Sequence, residues 1–167
     1  ATTVYEKRAQ LHARLATVPR DPALVEPLVE ELLTGKVTYV MPIRQLLGPA
    51  AVRLTDQLRS LLRDEKADPQ RRFRAALALA DFVPESAAAS WTEQDLEFVA
   101  EQLVSSNAEF QPLLRDALRP IRARLLGDLE RIFAEATATD AQRLSAANTF
   151  ADYAATDIAR LSQLLTL

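Results

Sequence analysis

The 167-residue chain is predicted to be all-α, a superhelical array (an α-α superhelix) of about eight helices in stacked hairpins. Three observations point there. Alanine, leucine, arginine and glutamate dominate while glycine numbers 3, a balance that favours helix because alanine and straight-chain residues lose least on entering one. Apolar residues recur at helical spacing between Asp-Pro and Gly-Pro punctuation. Above all, the stretch Pro49–Phe82 returns at Pro120–Tyr153, an internal repeat of 71 residues.

Taken in order, residues 4–18 predict a first helix with Leu11, Leu15 and Val18 on one face. Asp21-Pro22 opens a second, with aspartate capping an orphan amide and proline at a position whose N–H has no partner anyway. Val25, Leu28, Leu32 and Leu33 form its apolar face, and Gly35 is expected to end it as a left-handed cap. A short helix over 38–47 turns Tyr39, Val40, Ile43 and Leu47 inward until Gly48-Pro49, where the residue before proline is disfavoured in the helical region. Pro49 to about Arg63 carries the stripe Leu54, Leu58, Leu61, Leu62. Asp68-Pro69 then starts a helix over 69–82, whose Ala75, Ala76, Ala78 and Ala80 are small enough to draw a neighbour close.

The second copy uses the same parts. Thr92 and Asp95 form a capping-box-like start, and Trp91 before the cap is placed to staple onto Leu96. A long helix shows Leu125, Leu129, Ile132 and Phe133, and Thr139 stands three residues before Gln142, where a cap is expected. Gapless alignment of residues 24–82 with 95–153 gives 15 identities in 59 positions, Arg44, Arg53, Arg72 and Asp81 among them. About 4–5 are expected by chance at this composition, so the repeat is taken as real. Residues 1–20 read as the end of a preceding unit, 21–91 as unit one and 92–167 as unit two. The apolar end Leu164–Leu167 lacks the polar face of a terminal repeat, which suggests a piece of a longer array.

Composition narrows the function. Cysteine is absent, which removes disulfides and thiolate chemistry and fits a reducing, cytoplasmic setting. No apolar run is long enough to span a membrane. A net charge of −3 argues against general nucleic-acid binding, which depends on concentrated positive charge. His12 is the single histidine, and no metal-ligand spacing accompanies it. The glycines Gly35, Gly48 and Gly127 are too scattered to build a phosphate loop. No catalytic, cofactor or metal residue is assigned, and the chain is not expected to be an enzyme.

The hairpins, with their Arg-x-x-Ala-Ala-x-x-x-Ala helices (Arg72–Ala80, Arg143–Ala151), resemble HEAT/armadillo-like α-solenoids. The stretches Asp68–Pro84 and Arg143–Leu165 are similar to a helical-repeat region of large planctomycete-type multidomain proteins. In those, a serine/threonine kinase or a formylglycine-generating-enzyme-like domain flanks the array. The resemblance implies a spacer or docking role, and no flanking activity carries onto a residue of this chain.

The expected function is therefore a non-catalytic protein-interaction or spacer scaffold in a larger multidomain protein. Its partner would be a protein or peptide, including a neighbouring domain of the same chain. A nucleic-acid-binding HEAT-like module is the alternative. Arg115, Arg119 and Arg122 recur at i, i+4, i+7 and are candidate contacts for an acidic partner; Arg71, Arg72 and Arg74 form a second cluster. The opposing reading is that Arg44/Arg115, Arg53/Arg124 and Arg72/Arg143 repeat because stacking needs them. Trp91 is a candidate anchor, with the staple as the blander alternative. Asp81 and Asp152 lie near helix C-termini, where a negative charge opposes the dipole, so each is expected to bond to a neighbouring helix start.

Overall fold

The computed structural model describes residues 22–83 and 91–155. These are all-α, with no strand among them. The first copy holds α1 (Val25–Thr34), α2 (Val40–Leu47), α3 (Ala51–Arg63) and α4 (Pro69–Phe82). The second holds α5 (Glu93–Ser105), α6 (Gln111–Leu118), α7 (Arg122–Ala134) and α8 (Asp140–Tyr153). From α2 onward every helix returns 71 residues later with the same boundaries. The expected helix over 4–18, the Asp21 cap, the 84–90 connection and the 164–167 end lie outside the described residues, so the helices seen are not the set counted from the sequence.

The starts follow local chemistry. Asp68 accepts the Arg71 amide at 3.0 Å. Thr92 Oγ1 accepts the Asp95 amide at 3.1 Å while Asp95 Oδ2 accepts the Thr92 amide at 3.0 Å, a complete capping box. Thr139 and Gln142 make another, at 3.2 and 2.9 Å. Each box satisfies amides that a helix start otherwise leaves open.

One expectation about glycine fails and another holds only in part. Gly35 is extended, with φ −74° and ψ −171°, not left-handed. Its requirement is steric instead: a Cβ there would overlap the Glu31 carbonyl oxygen and carboxylate. Gly48 stays helical before Pro49 (φ −46°, ψ −46°), and Arg119 does the same before Pro120 (φ −53°, ψ −33°). At both places the α-helix ends, as expected at Gly48-Pro49, but the chain goes on through a one-turn 3₁₀ helix, Gly48–Ala50 and Arg119–Ile121, instead of leaving the helical region. The preference before proline is a bias, and the apolar positions on either side of each turn outweigh it.

The packing follows the apolar stripes. Val25, Leu28, Leu32 and Leu33 of α1 are buried, as are Val40, Ile43 and Leu47 of α2 and Leu54, Leu58 and Leu62 of α3. Tyr39, Leu61 and Phe133 are only half-buried. α3 packs along α4, and α7 along α8. α4 also meets α1, α2, α6 and the Arg119–Ile121 turn, so it is enclosed where the copies join. Ala75, Ala76, Ala78 and Ala80 are each 0% exposed, consistent with backbones drawn close by small side chains.

Candidate functional site

The junction between the copies concentrates the polar chemistry of the described residues. Arg44 on α2 is buried, and its Nη1 donates to the Leu77 carbonyl of α4 at 3.0 Å and the Ala117 carbonyl of α6 at 2.6 Å. Burial holds this guanidinium below its ordinary range, opposed by Asp81, whose Oδ2 lies 3.7 Å from Arg44 Nε. One side chain thus ties three helices across both copies.

A second tie joins α3 to α5. Arg63 grips the buried Asp95 carboxylate through Nε and Nη2, at 3.1 and 2.7 Å. Burial alone would raise the Asp95 carboxyl, but the bonds from Arg63 and Thr92 outweigh it and leave it below the usual range. Arg131 on α7 bridges Glu97 of α5 at 3.0 Å. Nearby Asp128 is pushed up, first by burial and then by Glu97, Glu101 and Glu93, with Arg131 opposing.

The repeated arginines include structural ties. Arg72 Nε caps the Leu62 carbonyl at 2.8 Å, and its guanidinium carbon lies 4.1 Å from the Phe98 ring centroid. Its counterpart Arg143 donates to the Ala138 carbonyl at 3.1 Å. Asp81 faces the Arg44 guanidinium, which lies within α2 and not at a helix start, whereas Asp152 accepts from Nη2 of Arg119, the first residue of the 3₁₀ turn, at 3.0 Å. Both copies keep the carboxylate, but its arginine comes from a different position in each.

The structure separates the proposed contact residues. Arg115 lies on α6, Arg119 opens the 3₁₀ turn and Arg122 begins α7, so the turn interrupts the inferred stripe. Arg119 is held by Asp116 and Asp152, each at 3.0 Å. Arg122 is exposed and donates to the Arg119 carbonyl at 3.4 Å. Arg115 Nε is buried without a hydrogen-bond partner among the described residues. Trp91 is 5% exposed and its Nε1 donates to the Val83 carbonyl at 3.0 Å, so the ring belongs to the core. Leu96 is buried in the same core.

The cluster Arg71, Arg72, Arg74 also divides. Arg71 pairs with Glu30 at 2.8 Å, whereas Arg74 turns into a groove of about 510 Å³ at the junction. The groove runs between the α1–α2 connection, the start of α4 and the α5–α6 connection. Phe73, Phe110, Val37 and Leu114 supply apolar wall; Lys36 and Arg74 supply charge. Among the described residues no carboxylate lines it, whereas other cavities carry Glu101 and Glu135, or Glu65 and Asp95. Arg74 Nη2 donates to the Gly35 carbonyl at 3.3 Å, and no acid pairs with it among the described residues. Its Nη1 is buried without a hydrogen-bond partner among the described residues, and burial lowers its pKa from the ordinary arginine value.

Sequence reasoning named Arg74 only within a cluster and passed over Lys36. The available signal was their departure from the repeat, since Ser145 and Asn107 occupy the equivalent positions. His12 lies outside the described residues. Among those described, no group of three or more histidine, cysteine, aspartate or glutamate side chains is placed to hold a metal. No family model, curated protein or solved structure matches the chain.

Proposed function

We propose that the chain is a stack of HEAT-like hairpins acting as a non-catalytic interaction or spacer scaffold. The observation that carries this reading is the junction, where α4 of one copy packs on α6 of the next. Phe73, Leu77 and Ala80 of α4 are buried there, while their counterparts Leu144, Asn148 and Ala151 on α8 are exposed. In a stack, that face of α8 is the seat for another unit, and the grooves between units are the places where partners bind. The flanking kinase-like or formylglycine-enzyme-like domains implied by the resemblance would be positioned by such an array.

Cross-linking of the purified chain in a cell extract, with the linked positions mapped, tests the scaffold role. Reproducible cross-links to a small set of partners, gathered along one face, are expected. Scattered or absent links would remove the interaction reading. A nucleic-acid module is the second reading, since arginines outnumber lysines 17 to three. It is disfavoured because Arg44, Arg63, Arg71, Arg72, Arg119 and Arg131 are each bound to carbonyls or carboxylates. A salt-sensitive gel shift would restore it.

A further inference from the structure

The junction groove has features that stacking alone does not account for. Arg63, Arg119 and Arg131, which each tie one element to another, are paired with a carboxylate, and among the described residues Arg74 is not. Arg74 is a part-buried guanidinium whose one hydrogen bond among the described residues goes to the Gly35 carbonyl. Charged hydrogen bonds to a carboxylate are the strong form of this interaction, and the described lining of the groove supplies none. The nearby Glu31 carboxylate lies against Gly35 but is not part of the lining. The chain as a whole carries −3, so two cations on a lining without acid form a local positive site.

We propose that this groove binds an acidic, extended peptide segment of a partner, with a carboxylate on Arg74 and Lys36 and a neighbouring apolar side chain against Val37 and Phe110. The proposal rests on the interaction-scaffold reading and names the chemistry of its partner. A volume of about 510 Å³ takes two or three side chains, enough for an acidic residue beside an apolar one. Thr38, Gln70, Ser106 and Asn107 add neutral polar groups around the rim, suited to peptide backbone. Such a site selects by charge and needs no rearrangement of the helices.

The test is a phage-displayed library of random short peptides panned on the full chain, followed by fluorescence anisotropy with the labelled consensus peptide. Enriched peptides should carry aspartate or glutamate next to leucine or phenylalanine. Binding should weaken as salt rises, and Lys36→Glu and Arg74→Gln should each weaken it roughly tenfold or more. Lys36 is exposed, so its variant keeps the test valid even if Arg74→Gln fails to fold, which circular dichroism reports. No enrichment, enrichment without acids, or equal binding by the folded variants overturns the proposal. So does tighter binding of a single-stranded oligonucleotide that the same variants abolish. If Lys36→Glu keeps every cellular cross-link of the wild type, the groove proposal falls and the scaffold reading stands. Absence of cross-links in the wild type itself removes the scaffold reading.

Discussion

Single side chains at the junction set how stability depends on pH. Asp95 has a depressed pKa, so its contribution is present above the unfolded aspartate value of about 3.9 and is lost as pH falls through the lower folded value. Asp95→Asn should therefore destabilise the chain by about 2 kcal/mol in neutral urea titrations, with the deficit shrinking in acid. Asp128 has a raised pKa and acts in the opposite sense: it favours the fold at low pH, and that advantage disappears as pH rises through its folded value. Asp128→Asn should raise the melting temperature at neutral pH and have little effect in acid. Asp81→Ala should lower it, because the buried Arg44 guanidinium then loses its facing carboxylate. An unchanged melting temperature would show that Arg44 is satisfied by the Leu77 and Ala117 carbonyls alone.

At the scale of helices, the three glycines separate steric need from propensity. Gly127 sits inside α7 with nothing within 4 Å of a would-be Cβ, so Gly127→Ala should stabilise by about 1 kcal/mol. Gly35→Ala should destabilise, since the Glu31 backbone oxygen cannot move aside as its side chain can. Thermal melts of the two variants should shift in opposite directions. The capping boxes were readable in advance because Thr92–Asp95 and Thr139–Gln142 act over three residues, a range in which sequence spacing and spatial distance coincide. The one-turn 3₁₀ bends at Gly48–Ala50 and Arg119–Ile121 were not, because packing of apolar residues on both sides decides them.

For the molecule as a whole, the junction makes equivalent positions unequal. Phe73 is 2% exposed, and truncating it to alanine should cost about 3 kcal/mol. Leu144, its counterpart in the second copy, is 63% exposed, and the same truncation should change stability by less than about 0.5 kcal/mol. Urea titration of both variants measures the asymmetry directly. Equal losses would mean that this chain already covers the α8 face, which would then not be an open seat for another unit. The inferred stripe Arg115, Arg119, Arg122 fails at this scale too. Helical spacing places three arginines on one face only if the helix is continuous, and here a turn and the Asp116 and Asp152 carboxylates intervene.

Sequence alone determined the all-α class, the internal repeat, the apolar stripes and the capping boxes. Each is a local periodicity or a short-range bond, so residue order carries it without reference to the rest of the chain. Only the tertiary structure decided which arginines are occupied, why Trp91 is core, and where Lys36 and Arg74 face a groove whose described lining holds no carboxylate. Those outcomes depend on which surfaces of the two copies meet, and partners such as Arg63 and Asp95 stand more than thirty residues apart. No spacing rule reaches that far; burial and the pairing of charge across the junction do.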